Sequence, residues 1–168
     1  MEISENSRIW IYQSDRALNP VEQEQIQRKL NDFTSQWQAH GHQLTALAEI
    51  RYHLFIILMV DEDRAGATGC SIDKSVNLMK ELEDEFSISL FDRFNIAYRT
   101  TEDITSCSRE EFEVLIASGK VNENTIVFNN LVPTVKELNS KWEVPLRDSW
   151  HAQVFGDVLR NTQNVLRY

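Results

Sequence analysis

Residues 61–75 read DEDRAGATGCSIDKS and gather most of the side chains in this chain that could do chemistry. Cys70 is a nucleophile if its thiolate is accessible. A helix starting at Ser71 places the thiol at a helix N-terminus, where the dipole favours the charged form; Lys74 adds to that and Asp73 opposes it. A nucleophilic cysteine works with a base, usually histidine. His40, His42, His53 and His151 are present, and no spacing selects one of them. The plainer reading makes Cys70 a small buried residue in a tight turn, and the sequence favours it. Asp61 and Asp63 offer two carboxylates, and Mg²⁺ sites commonly use one or two. A solvated strand end explains them more simply. Gly66, Gly69 and the Ser71 hydroxyl, with Arg64 nearby, suit an anion at a helix N-terminus. They equally suit a tight connection. The candidate ligand set is therefore Asp61, Asp63, Arg64, Gly66, Gly69, Cys70 and Ser71, with Cys70 as the candidate catalytic residue.

Two further groups have the right types. His40-Gly41-His42 supplies two metal-ligating rings, but no Cys, His or Asp cluster has complementary spacing, and a solvated turn is the expectation. Trp142, Trp150 and His151 form either an adaptor surface or an anchor for the C-terminal segment, and anchoring is the preferred reading. No metal and no cofactor is expected.

These residues must be held by elements the pattern predicts. RIWIYQS (8–14) reads as a strand. In NPVEQEQIQRKLNDFTSQW, Asn19 caps a helix, Pro20 opens it and Glu22 completes a capping box. Ile26, Leu30, Phe33 and Trp37 recur at helical spacing and Gly41 supplies the stop. LTALAEI (44–50) and HLFIILMVD (53–61) read as two strands, the second apolar on both faces and so central. One strand over 44–61 would be unusually long, which places a turn near 51–53 although no glycine marks it. Ile72, Val76, Met79, Leu82 and Phe86 make a second helical stripe, and FDRFNIAYRT (91–100) a fourth strand. The order β-α-β-β-α-β predicts an α+β fold with a ferredoxin-like core over 8–100. A small αβ segment (101–155), with a helix capped by Ser108 and stopped by Gly119, packs on the core, and 156–168 forms a tail.

The chain has 168 residues, 42% hydrophobic and 26% charged, which suits one globular domain with a small appendage. The net charge is −9, and the longest Lys/Arg cluster is Arg28-Lys29, so nucleic acid is not an expected partner. The apolar run LFIILMV is too short to span a bilayer, so no membrane insertion is expected. Two separate cysteines, Cys70 and Cys107, and a polar N-terminal stretch predict a cytoplasmic protein with free thiols.

SRIWIYQS, AEIRYHLFIILMVDE, GCSIDKSV, NENTIVFNNLV and WEVPLRDSWHA together resemble a family of small uncharacterised bacterial proteins often labelled "ABC transporter ATPase". That label implies nucleotide hydrolysis, which needs GxxxxGK[ST] to wrap phosphates, and the chain holds no such segment. EEFEVLIASGKVNENTIVF (110–128) resembles the helix-then-strand core of GYF-type adaptor modules, which implies binding of proline-rich peptides on aromatic surfaces. The Asp61–Asp63 pair is similar to that of haloacid-dehalogenase-type phosphatases, but Arg64-Ala65 stand where those want Gly and Thr. A thiol-phosphatase loop wants Arg six positions after its cysteine, and Val76 stands there. Two function classes follow. The favoured one is a non-enzymatic binding or regulatory module with a protein partner or a homodimer interface, on a sheet edge or on the Trp-rich segment. The other is a small enzyme or anion-binding protein centred on 61–75.

Overall fold

The computed structural model describes residues 2–166, so 167–168 of the expected tail lie outside it. The fold is α+β with antiparallel sheets. The chain forms two compact units, one of Met1–Asp92 with Leu131–Asn139, the other of Arg93–Asn130 with Ser140–Tyr168. Among the described residues no helix is long and apolar enough to cross a membrane.

The first unit runs β1 (Arg8–Gln13), α1 (Pro20–Gln36), a small hairpin of β2 (Gln38–Ala39) and β3 (His42–Gln43), β4 (Thr45–Arg51), β5 (Phe55–Asp61) and α2 (Gly69–Phe86). Its sheet order is β1-β5-β4, antiparallel throughout. β5 is central, and Phe55 through Val60 are buried on both faces, as its unbroken apolar run requires. Ile26 and Leu30 of α1 and Met79, Leu82 and Phe86 of α2 pack with Tyr12, Ala46, Ala48, Ile56, Leu58 and Val60 on one face. Each fully buried large aliphatic side chain contributes about 1.5–3 kcal/mol.

Sequence logic sets the ends of these elements. Asn19 Oδ1 accepts the Glu22 N–H at 2.8 Å, and Glu22 Oε1 accepts the Asn19 N–H at 3.0 Å, which completes the expected capping box. Arg16 grips the same Glu22 at 2.7 Å and donates to the Phe86 carbonyl at 2.7 Å, joining the start of α1 to the end of α2. That guanidinium holds the Glu22 carboxyl down at about 2. The β4–β5 turn falls at 52–54, and Tyr52 (φ 55°) and His53 (φ 59°) adopt the left-handed conformation without a glycine.

Each edge of this sheet is met in part by other segments of the chain. Along β1, the Ile9 N–H donates to the Pro133 carbonyl at 3.0 Å and the Val135 N–H to the Ser7 carbonyl at 3.0 Å, so the returning segment 131–139 lies against the strand. Just before β4, the Leu44 N–H donates to the Trp37 carbonyl at 2.9 Å. The Gln43 and Gln27 amides donate to the Leu44 and Ala48 carbonyls at 3.1 and 3.0 Å.

The second unit runs β6 (Ile96–Arg99), β7 (Ile104–Cys107), α3 (Arg109–Ala117) and β8 (Ile126–Phe128). It continues after α4 (Val135–Lys141), which starts in the returning segment, with β9 (Glu143–Pro145), a 3₁₀ turn (Leu146–Asp148), α5 (His151–Val154) and α6 (Gly156–Leu166). Its sheet order is β7-β6-β8-β9, antiparallel. Ile96, Cys107, Phe112, Ile116, Val121, Val127, Leu146 and Phe155 form its core. Ser108 caps α3, with Glu111 N–H donating to its Oγ at 3.2 Å, and Gly119 follows the helix at φ 79°.

The stretch 91–100, expected as the fourth strand of the ferredoxin-like core, supplies β6 to this second sheet instead. The Thr100 N–H bonds the Asp103 carbonyl at 2.7 Å, closing a short hairpin with β7. Pairing across so short a loop loses little chain entropy, and β8 takes the other edge of β6. The expected boundary at 100/101 accordingly differs from the division at Asp92.

Candidate functional site

The connection from β5 to α2 is closed by its own hydrogen bonds. Asp61 Oδ1 accepts the Asp63 N–H at 3.1 Å, and Glu62 Oε2 accepts the Ala67 N–H at 3.0 Å. A Cβ at Gly66 would stand 3.1 Å from Glu62 Oε2, so glycine leaves that carboxylate its room. Gly69 has open space at its Cβ position, so no steric demand selects it. Thr68, not Cys70 or Ser71, is the N-cap of α2. The Thr68 N–H donates to Ser71 Oγ at 2.7 Å, and the Ser71 N–H donates to Thr68 Oγ1 at 3.3 Å. Ser71 is buried, and its carbonyl accepts the Trp37 indole N–H at 2.8 Å, tying the end of α1 to the start of α2.

The helix thus starts at Gly69, two residues before the expected Ser71, and Cys70 is its second residue. Cys70 is exposed, which corrects the reading of a buried turn thiol. The physical reason is the turn of the helix: Ser71 and Ser75 face the core, and the preceding position points away from it.

The candidate set shares a loop, and its polar groups do not converge. The carboxylates of Asp61 and Glu62 bond loop backbone, and the Ser71 hydroxyl is spent on the cap. Asp63, Arg64 and Gly69 are exposed. Among the described residues no histidine bonds Cys70. His53 Nδ1 lies 2.9 Å from the Gln23 amide nitrogen at the turn before β5, His40 and His42 are exposed on the β2–β3 hairpin, and His151 belongs to the second unit. Among the described residues there is also no group of three or more His, Cys, Asp or Glu placed to hold a metal ion.

The Trp-rich segment divides. Trp142 is 1% exposed, packs against Phe128 with ring centres 5.0 Å apart and donates its indole N–H to Asn130 Oδ1 at 2.9 Å, which makes it an anchor. Trp150 is 37% exposed and Val154, one helical turn on, is 40% exposed. Beneath Trp150 lies a pair that sequence reasoning did not assemble: Ser149 Oγ stands 2.5 Å from His151 Nδ1, both residues buried. Three adjacent positions, Ser-Trp-His, were its only sequence signal. In the same unit, burial and then Glu111 push the Cys107 thiol up to about 11.

Fold and site define an α+β chain of two units with an exposed thiol at one helix start and an exposed tryptophan near its C-terminal helices. Comparison with family models, with curated proteins and with solved structures finds no match.

Proposed function

We propose that this chain is a non-enzymatic binding or regulatory module that engages a protein surface through the face carrying Trp150 and Val154, with a second copy of itself as the first partner to test. The observation that carries this reading is the exposure of those two side chains on one turn of helix. Tryptophan is the residue type most enriched where interfaces concentrate their energy. The resemblance of 110–128 to GYF-type adaptors points the same way, with α3 followed by β8. The order β1-β5-β4 under two helices supports reading the first unit as three strands of a ferredoxin-like arrangement. Hydrolysis of ATP, implied by the label of the resembled family, is not part of the proposal, because no phosphate-wrapping segment is present. Sedimentation equilibrium tests the proposal. Concentration-dependent dimerisation, weakened at least tenfold by Val154→Asp, is expected. A chain that stays monomeric to hundreds of micromolar removes the homodimer.

A second reading places reaction chemistry or anion binding on Asp61, Asp63, Arg64, Gly66, Gly69, Cys70 and Ser71. The exposure of Cys70 at the start of an 18-residue helix favours it.

A further inference from the structure

The Ser149-Trp150-His151 run sits at the entrance of α5 with its polar groups turned inward. Ser149 is 6% exposed and His151 3%. Ser149 Oγ accepts the His151 N–H at 3.3 Å and stands 2.5 Å from Nδ1 of the same residue. The Trp150 indole stacks on the imidazole at 3.8 Å between centres and 23° between planes. The His151 carbonyl accepts the Phe155 N–H at 2.9 Å. Phe155 is fully buried, its ring 4.9 Å from that of Phe112 in the core of the unit. The imidazole therefore lies under the one-turn helix that delivers Phe155 to the core.

This arrangement holds a neutral imidazole. An imidazolium here would lose its hydration and find only a neutral hydroxyl and an indole face, which repay part of the loss. The elements packed on α5 do not supply the missing carboxylate. On the 3₁₀ turn, Arg147 bonds Asn124 and pairs with Asp148; on α6, Arg160 pairs with Asp157. Arg147, Asp148, Arg160 and Asp157 are half to mostly exposed, and among the described residues no carboxylate is bonded to the ring.

We propose that the Ser149–His151 pair is an acid-released latch: proton uptake by His151 detaches α5, withdraws Phe155 and opens the α5–α6 segment while α3 and the sheet stay folded. The inference rests on the buried pair and is independent of any role for the Trp150 face. Burial alone drives the His151 pKa from 6.5 down to about 4 in the closed form, whereas the opened segment regains the free value. The closed form thus binds the proton more weakly. The latch is fully shut above pH 6.5 and loosens as pH falls through the window down to about 4.

Hydrogen exchange read by mass spectrometry, corrected for intrinsic rates, tests this on the intact chain. Opening of peptides from 146–163 is expected to rise roughly 100-fold between pH 8 and pH 4, with peptides of α3 unchanged. His151→Asn, which keeps an acceptor near the Nδ1 position but does not titrate, is expected to flatten the rise. Equal protection of 146–163 at both pH values, or the same rise in His151→Asn, overturns the proposal. If His151→Asn does not fold, titration of the wild-type imidazole by NMR decides. A midpoint far below 6.5 that coincides with loss of protection supports the latch. A midpoint near 6.5 in a fully protected chain overturns it.

Discussion

Cys70 and Cys107 are both free thiols and stand in opposite settings, one exposed at a helix start, the other buried in the second unit with its pKa raised to about 11. Thiolate is the reactive form, so a disulfide reagent at pH 8 is expected to label one thiol quickly and the second only on unfolding. Cys70→Ser should remove the fast phase. Equal labelling of both, or a fast phase that survives the substitution, would contradict the exposure difference. The sequence leaned the other way on Cys70, because free cysteine is among the most buried residue types. What decides its exposure is the start of α2, and that start was not legible. Thr68 and Ser71 cap each other reciprocally, with serine in the position where the recognisable pattern has Glu or Gln. The acidic knot hid a similar detail. Asp61, Glu62 and Asp63 look alike in sequence, yet Asp61 and Glu62 bond the backbone of the loop itself.

Elements were legible where local signals agree with packing. Asn19, Pro20 and Glu22 announced α1, and the helical stripes on α1 and α2 are the buried ones apart from the half-buried Phe33, Ile72 and Val76. The division of 44–61 into two strands was legible from length alone, and the turn was not marked, since Tyr52 and His53 take up positive φ against their own preference. Such conformations cost of order 1 kcal/mol each for ordinary residues, and asparagine tolerates them better. Tyr52→Asn is therefore expected to stabilise the chain by roughly 0.5–1 kcal/mol in urea unfolding. A loss of stability would mean that the Tyr52 side chain contributes more than its backbone strain removes. The fate of 91–100 was illegible for a different reason. Its apolar pattern specifies a strand but not a partner, and the hairpin closed at Thr100–Asp103 claims it.

At the scale of the molecule, the antiparallel α+β class followed from the order of elements, but the division into units did not. Nothing in the composition of 131–139 shows that this stretch returns to the first unit, where Val132 and Leu138 are buried. Leu138→Ala is expected to cost about 2–4 kcal/mol. If Leu138 holds the returning segment in place, the Ile9 amide, bonded to the Pro133 carbonyl, should exchange faster in that variant. An Ile9 amide as protected as before would show that other contacts hold it. The same segment sets an order of events during synthesis. A ribosome releases the chain from its N-terminus at about 5–20 residues per second. The partner of β1 in 131–139 leaves the exit tunnel only after β6, β7, α3 and β8. For several seconds, on that clock, the nascent first unit carries an open strand edge, and the first half of the molecule is finished only by a piece translated well into the second.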